Sequence, residues 1–368
     1  YKNTRDDVEF ILCDGEQHLL RCFLDYWIQN FPDILTGWNV DGYDVPYICG
    51  RLERLFGEKE MKLMSPWGHV KREEIEVKGR EQIFYRMSGI NVIDYLDLYK
   101  KFTYTNQESY RLDHIAFVEL GQRKVDHNEF ENFKDFYTKD WQKFIDYNIV
   151  DVELVSRLEE KMKLIELAVA LAYDAKVNMQ DVYYQVRMWD TLIYNFLNKK
   201  SIVVPPGKRS DKDEKYAGAY VKEPIAGRYN WVVSFDLNSL YPHLIMQYNI
   251  SPETLVEKRH PSATVNGLLS QKVEVPKEFC LCANGAMYRK DIHGFLPEMM
   301  KKIYDERVQS KKLMILAKQE YEKTPTKELE KSISKYNNIQ MARKIQLNSA
   351  YGAIGNQYFR YYNIINAE

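Results

Sequence analysis

An apolar run in the middle of the chain ends in a carboxylate. Residues 231–236 (Trp-Val-Val-Ser-Phe-Asp) predict a buried strand, and a tight turn follows Asp236. A carboxylate at a strand end is a common way to hold Mg²⁺, which prefers carboxylate and carbonyl oxygens and keeps waters or substrate phosphates as its other ligands. The alternative is that Asp236 only caps the turn. The local pattern leaves both interpretations open.

A second set of chemically useful side chains lies on one predicted helix face. Lys344, Asn348 and Tyr351 are spaced i, i+4 and i+7, which a helix places on one side. A cation, an amide and an aromatic ring suit a phosphate, a sugar or base edge, and a base plane. An amphipathic helix with a solvated lysine and a core tyrosine has the same pattern, so this alternative also stays open.

The segment around that stripe is basic. Arg307 and Lys311 are spaced i, i+4 on the preceding predicted helix, and residues 299–345 contain twelve Lys or Arg against six Asp or Glu. The whole chain, by contrast, has a formal net charge of −1. A local excess of positive charge favours a polyanion, although part of it is ordinary solvated helix surface.

Alternating elements must position these groups. Residues 8–13 predict a strand, and Asp14 is expected to cap a helix that starts near Glu16. Residues 34–40 predict another strand, followed by a helix over about 45–56. Strands that alternate with helices indicate an α/β layer fold.

The remainder of the chain predicts longer helices. Residues 141–174 have sustained helical periodicity, and residues 198–217 are polar and contain Pro and Gly, which is typical of a linker. From Pro297 to about Ala350 two helices are expected, with a break at 323–326 that forms the tip of a helical hairpin.

Composition excludes several classes of protein. A length of 368 residues with 45% hydrophobic residues indicates two or three globular domains. We expect no membrane span, because no apolar run approaches the length of about 20 residues that one needs. Five cysteines without a Cys-x-x-Cys pair argue against a disulfide scaffold or a zinc site and for a reducing compartment.

Two of these segments carry a family resemblance. Asp236-Leu-Asn-Ser-Leu-Tyr241-Pro resembles motif A of family B DNA polymerases, and Lys344-x3-Asn348-Ser-x-Tyr351-Gly resembles their motif B. Tyr216-Ala-Gly218-Ala resembles the Tyr-x-Gly-Gly/Ala segment that precedes motif A in this family.

The N-terminal half resembles the proofreading domain of the same family. Asn39-Val-Asp-Gly-Tyr-Asp44 is similar to the second 3′–5′ exonuclease motif, and Tyr147-Asn-Ile-Val-Asp151 is similar to the third. The segments at 97–102 and 359–362 look most like the replicative polymerases of tailed phages. The resemblance covers essentially the whole chain, and four motifs occur in the expected order.

The resemblance implies a multidomain fold of the α/β and α+β classes. It predicts an RNase H-like exonuclease domain at 1–163, a helical connection and linker at 164–207, a first part of the palm at 208–293, a two-helix fingers hairpin at 294–356, and the start of a second palm part at 357–368.

It also implies roles for individual residues. Asp236 and the backbone carbonyl of Leu237 would hold two Mg²⁺ ions. Nucleotide contacts would come from residues of motif A, of the fingers and of motif B: Ser239, Leu240, Tyr241, Arg307, Lys311, Lys344, Asn348 and Tyr351. In the exonuclease, Asp44 and Asp151 would be metal ligands, and Tyr147 would position the attacking water.

Both sites are expected to be incomplete in this chain. A two-metal site needs at least two carboxylates to hold ions about 3.5–4 Å apart. The family's second palm carboxylate belongs to a later Asp-Thr-Asp motif, and its first exonuclease motif, Asp-x-Glu, lies well upstream of Asp44. Asp14-Gly-Glu16 matches that pattern, but the capping interpretation is preferred. The chain is therefore expected to be an inactive fragment of a longer polymerase or one product of a split gene.

The sequence thus predicts a template-directed DNA polymerase with a proofreading exonuclease. The expected partners are primer-template DNA, deoxynucleoside triphosphates and, in the full-length protein, a sliding clamp, in the cytoplasm of a host cell if a phage encodes it. The alternative is a non-catalytic DNA- and nucleotide-binding half that works with a second polypeptide. A nuclease alone is less favoured, because motifs A and B would then have no purpose.

Overall fold

The computed structural model describes residues 2, 5–77, 79–103, 105–207 and 221–368. The chain divides into two compact units, residues 1–168 and 169–368. The Tyr216-Ala-Gly218-Ala segment and most of the C-terminal part of the predicted linker lie outside the described residues. No helix in the described part of the chain is long and apolar enough to cross a membrane.

The first unit is built around a parallel strand pair. Strand β1 (Ile34–Gly37) pairs with β4 (Asn91–Asp94) in the register Ile34 to Asn91 and Gly37 to Asp94. Because the strands are parallel, the segments that follow them start at the same edge of the sheet. Strands β2 (Val70–Val77) and β3 (Arg80–Met87) form a separate antiparallel hairpin.

Helices cover this pair. The unit contains α1 (Glu16–Gln29), α2 (Val45–Phe56), α3 (Glu58–Met61), α4 (Tyr95–Phe102), α5 (Leu112–Leu120), α6 (Phe133–Lys139) and α7 (Trp141–Met162). The predicted apolar face of α1 is buried at Leu20, Leu24 and Trp27, which join a core with Val45, Cys49 and Leu52 of α2. These buried side chains stabilise the layer that carries β1 and β4.

Three predicted elements of this unit differ in the structure. Residues 8–13 form no strand, because the two-stranded sheet of β1 and β4 pairs with no third strand among the described residues. The predicted strand at 34–40 ends at Gly37, since Asn39 has a left-handed backbone with φ 65°. The long helix predicted at 141–174 is two helices, α7 and α8 (Leu164–Ala175), separated by the left-handed Lys163 at φ 56°.

The capping prediction at Asp14 was wrong. Gly15 occupies the N-cap position in an extended conformation, and no side chain caps α1. The first helical bond runs from the Leu19 N–H to the Gly15 carbonyl at 2.9 Å, so the helix starts at Glu16 as predicted, but Gly15 and not Asp14 is its N-cap residue. The Asp14 side chain is consequently 97% exposed.

The second unit is dominated by a long helical hairpin. Helix α12 (Phe295–Lys323) and α13 (Lys327–Ile354) meet at a short turn, where the Thr326 hydroxyl accepts a hydrogen bond from the Leu329 N–H at 3.2 Å. The break lies where the sequence predicts it, because Pro325 cannot continue the first helix.

The base of the hairpin packs on shorter elements. Helix α9 (Gln185–Asn198) contacts α13, and the indole N–H of Trp189 donates to the Ser349 hydroxyl at 3.0 Å. The remaining elements are α10 (Leu240–Tyr248), α11 (Val265–Leu269), the antiparallel strands β5 (Phe279–Leu281) and β6 (Met287–Arg289), and α14 (Ile364–Ala367). Trp189, Met300 and Leu347 lie at the centre of the core of this unit.

The prediction of a buried strand at residues 231–236 was wrong. These residues have no regular structure, and the side chains of Trp231 and Phe235 are 98% and 93% exposed. A strand exists through ladder hydrogen bonds to a neighbour, and the described residues of this unit give this segment no neighbouring strand.

Candidate functional site: a carboxylate cleft and a hairpin face

In the first unit, a buried carboxylate shapes the turn that carries Asp44. The backbone N–H groups of Asn39 and Asp41 donate to the Asp94 carboxylate at 3.0 and 3.1 Å, and the Leu96 N–H donates at 2.9 Å. Asp94 ends β4 and is only 5% exposed. Burial raises the pKa of its carboxyl to about 6, although the three N–H donors oppose this.

The turn itself is unusual. Val40–Asp44 form a single π-helical turn that leads directly into α2. A Cβ atom on Gly42 would lie 2.8 Å from the Asn39 side-chain oxygen, so a larger residue at position 42 would displace the Asn39 side chain. Arg86 on β3 forms an ion pair with Asp41 at 2.8 Å. These contacts fix the backbone at Asp44, since π-helical turns are rarely stable without such support.

The predicted exonuclease residues of this unit line a cleft of about 1010 Å³. Its lining includes Asp44 together with Tyr147 and Asp151 from α7. Asp44 reaches the surface, but nearby protein atoms partly desolvate its carboxylate and raise its pKa. One oxygen of Asp151, Oδ1, is buried without a hydrogen-bond partner among the described residues. A buried unpaired carboxylate oxygen in the same cleft as a second carboxylate fits a hard cation.

Sequence reasoning missed one cation in this cleft. The Lys124 ammonium lies 2.5 Å from the other Asp151 oxygen and donates to the Tyr147 hydroxyl at 3.3 Å. Burial lowers the pKa of Lys124, but the hydrogen bonds and charge interactions with Asp151 and Tyr147 together outweigh burial, and the pKa is raised. Lys124 lies in an irregular segment before α6, where no helical or strand spacing relates it to Tyr147, so no local pattern could have identified it.

In the second unit, two predicted nucleotide-binding segments meet. The rings of Tyr241 on α10 and Tyr351 on α13 stack at a centroid distance of 4.6 Å and an interplanar angle of 5°. The Tyr351 hydroxyl donates to the Ala367 carbonyl at 3.3 Å. The stack leaves 40% of Tyr241 exposed, so this residue is not a core residue of this chain.

A cation of the predicted fingers hairpin also reaches the start of α10. Arg307 donates to the Ser239 hydroxyl at 3.3 Å, and its Nε atom is buried without a hydrogen-bond partner among the described residues. Ser239 has a left-handed backbone with φ 55°, and Leu240 starts the helix, where backbone N–H groups lack intrahelical acceptors. The site therefore combines a half-buried guanidinium with a helix N-terminus.

The other predicted residues of this unit are more dispersed. Lys311 is exposed on α12, Asn348 is exposed on α13, and Lys344 is half-buried on α13. Asp236 and Leu237 lie on the exposed irregular segment. Among the described residues, no group of three metal-ligating side chains includes Asp236, so the donors found there do not form a two-metal site.

Asp14 and Glu16 make neither the contacts expected of a helix cap nor those expected of the first exonuclease motif. Glu16 forms a bidentate ion pair with Arg51 of α2, at 2.5 and 2.6 Å, and Asp14 projects into solvent. Neither residue is among those that line the cleft of Asp44.

Comparison with known proteins gives the family. A family model described as DNA polymerase family B matches residues 178–368, and one described as DNA polymerase family B, exonuclease domain, matches residues 1–115. The chain therefore belongs to DNA polymerase family B. This confirms the family that the motifs predicted.

Phage enzymes are among its relatives. The DNA-directed DNA polymerase of Escherichia phage RB69 is 35% identical, and that of Enterobacteria phage T4 is 34% identical. Each alignment covers 98% of this chain and 44% of the relative, so the chain spans less than half the length of these proteins.

A solved structure confirms the fold class. The family B DNA polymerase of the hyperthermophilic archaeon Pyrobaculum calidifontis matches with a TM-score of 0.68 at 21% identity, over 97% of this chain and 44% of that structure.

Proposed function

We propose that the protein to which this chain belongs is a template-directed DNA polymerase with a 3′–5′ proofreading exonuclease. The observation that carries the proposal is the succession of two matched segments, an exonuclease domain at 1–115 and a polymerase segment at 178–368. We assign most of the exonuclease to residues 1–163, the connection to 164–207, palm to 208–293 and 357–368, and fingers to 294–356.

In the proposed exonuclease, Asp44 and Asp151 hold Mg²⁺. The unpaired Asp151 oxygen supports this assignment. The metal supplies charge neutralisation and an activated water when bound. Tyr147 orients that water through its hydroxyl, and the Lys124 ammonium, which touches both Tyr147 and Asp151, offsets the negative charge of the scissile phosphate.

In the proposed polymerase, α10 and the hairpin hold the incoming nucleotide. The backbone N–H groups of Ser239 and Leu240 meet the triphosphate at a helix N-terminus, which favours anions. Arg307, Lys311 and Lys344 neutralise its outer phosphates. Tyr241 lies under the deoxyribose. Asn348 and Tyr351 line the nascent base pair, an arrangement that the observed ring stack supports.

Asp236 and the Leu237 carbonyl remain the proposed palm metal ligands. Their donor set does not fit a two-metal site among the described residues. Primer-template DNA and deoxynucleoside triphosphates are the proposed ligands, a sliding clamp is a proposed partner of the full-length protein, and the cytoplasm of a phage host is the proposed place of action.

One observation favours a second candidate function. Because the Asp236 segment is irregular and exposed, the chain itself would bind DNA and nucleotide without catalysis and would need a second polypeptide to complete the palm.

A chimera tests the first proposal. This chain would replace the matching segment of the phage RB69 relative, and primer extension and 3′ digestion would be measured with Mg²⁺. Asp236→Asn should abolish extension and leave digestion, whereas Asp44→Asn with Asp151→Asn should abolish digestion and leave extension. A folded, DNA-binding chimera in which Asp236→Asn has no effect on extension would contradict the proposal. Extension that appears only when a separate palm polypeptide is added to the isolated chain would support the second candidate.

A further inference from the structure

A group of metal-ligating side chains lies away from both sites described above. Cys13 precedes α1, and His18 and Cys22 lie on α1 at positions i and i+4. One ligand atom from each, the two thiol sulfurs and an imidazole nitrogen, lies within 4.8 Å of the other two. It is the one such group of three found among the described residues.

The local backbone explains why these groups meet. Residues four apart on a helix share a face, so His18 and Cys22 project from the same side of α1. Because α1 starts only at Glu16, the preceding residues turn back over its first turn. The Asp14 N–H donates to His18 Nδ1 at 3.2 Å, so this nitrogen accepts a hydrogen bond from the residue that follows Cys13.

The donor chemistry is that of a soft or borderline cation. In a tetrahedral zinc site with bonds of about 2.0–2.3 Å, neighbouring ligand atoms lie about 3.3–3.8 Å apart. The observed spacing of up to 4.8 Å is slightly wider, and small side-chain rotations close it. The cysteines are half-buried and His18 is exposed, so an ion can enter from solvent.

We propose that Cys13, His18 and Cys22 form a zinc-binding site, with the Asp14 carboxylate or a water as the fourth ligand. One Asp14 oxygen already lies 3.7 Å from His18 Nδ1. Binding releases one proton from each thiol to solvent, and the zinc ion takes the His18 lone pair in place of the Asp14 N–H. The site fastens the N-terminal segment to α1, as a structural site in a small closed loop does.

The lack of a Cys-x-x-Cys pair does not exclude this zinc site. A Cys-x-x-Cys pair is the pattern of a tight knuckle turn. Here the pattern is Cys-x4-His-x3-Cys, in which a helix supplies the last two ligands and the chain before the helix supplies the first. Only the conformation at residues 13–16 brings the three together.

The test uses Co²⁺ as a spectroscopic probe on the full 368-residue chain, reduced with a phosphine. We expect one equivalent of Co²⁺ to give intense sulfur-to-cobalt charge-transfer absorption with tetrahedral ligand-field bands, and Zn²⁺ to displace it. Magnesium sites made of carboxylates give no such charge-transfer band, so the result is independent of the proposed polymerase function. No charge-transfer band with excess Co²⁺ would overturn the proposal.

Variants assign the ligands. Cys22→Ser should remove most of the charge-transfer intensity, and His18→Asn should shift the ligand-field bands to lower energy, because an oxygen or amide replaces the imidazole. Cys280→Ser, a half-buried cysteine of the second unit, is the matched control and should leave the spectrum unchanged. A spectrum that persists in Cys22→Ser, or that Cys280→Ser removes equally, would overturn the proposal. The proposal would also be overturned if the reduced chain gave no charge-transfer band and if, in air, Cys13 and Cys22 formed a disulfide.

Discussion

The two proposed active sites differ in how much of their support lies within this chain. In the first unit, Asp44 follows a strand whose partner is present, and the turn before it is bonded to the buried Asp94. In the second unit, Asp236 ends a segment that has no strand partner among the described residues, and that segment is exposed. A catalytic residue is positioned by the hydrogen-bonded elements around it, so the same residue type can be fixed in one site and unsupported in the other.

The largest expected effect concerns Asp94. Asp94→Ala should lower the free energy of unfolding of the first unit by roughly 4 kcal/mol, because three partly buried N–H groups would lose their acceptor at about 1–3 kcal/mol each. Urea unfolding followed through the fluorescence of Trp27 and Trp38 measures this. Asp33→Ala, at an exposed carboxylate directly before β1 at the opposite end of the sheet, is the control and should change stability by less than about 0.5 kcal/mol. Equal effects of the two variants would show that Asp94 does not support the turn.

In the second unit, the effect on nucleotide incorporation of removing the cations of the proposed fingers tests whether the hairpin is already organised to bind phosphates. In the chimera, Arg307→Ala or Lys344→Ala should lower kcat/KM for nucleotide incorporation by about 100-fold, or roughly 3 kcal/mol, as expected for a preorganised donor to a charged oxygen. Lys311→Ala should act in the same direction. Lys318→Ala, an exposed lysine of the same helix, is the control. Losses no greater than that of the control would assign these cations to solvated helix surface.

The stability of the first unit should depend on pH through Asp94. Its folded pKa of about 6 lies above the ordinary value of 3.8, so the folded state favours the protonated acid. The stabilisation from this group is fully present below about pH 4 and is lost as the pH rises through 6, with a slope of up to roughly 1.4 kcal/mol per pH unit. Comparing unfolding of the wild type and Asp94→Asn from pH 4 to 7 isolates this component, because the variant lacks it. A constant difference between the two across that range would contradict the raised pKa.

A smaller effect is expected at the ring stack. Tyr241→Ala in the chimera should raise incorporation of ribonucleotides relative to deoxynucleotides by about 10- to 100-fold, because a flat ring against C2′ leaves no space or partner for the 2′-hydroxyl. Tyr351→Phe keeps the ring of the stack and removes the hydroxyl that donates to the Ala367 carbonyl, so it should preserve discrimination. If Tyr241→Ala reduces both activities equally, Tyr241 is a packing residue and sugar selection lies elsewhere.

Local patterns predicted the helices better than the strands. The helix at 45–56 and the hairpin break at Pro325 follow from periodicity and proline alone, because a helix makes its hydrogen bonds within one segment. The strand at 231–236 failed because a strand depends on a distant neighbour that the segment itself does not specify.

The residues of the candidate sites also divide into those that a local pattern predicts and those that only the structure shows. Motif spacing predicted Asp44, Tyr147 and Asp151 as site residues, and all three line one cleft, whereas Lys124 comes from an irregular segment and Asp94 acts through backbone N–H groups. Asp94 did carry a usable pattern, since a short apolar strand ends in this carboxylate just as the run before Asp236 does. What distinguishes the two is burial, which depends on the strands and helices packed around each carboxylate.

Amide hydrogen exchange on the 368-residue chain tests the central claim most directly. We expect the N–H groups of Asn39 and Asp41 to be strongly protected by Asp94, and those of residues 232–237 to exchange at the rate of an unstructured peptide. Protection of residues 232–237 equal to that of Asn39 and Asp41 would contradict the account, because the segment before Asp236 would then be a paired strand.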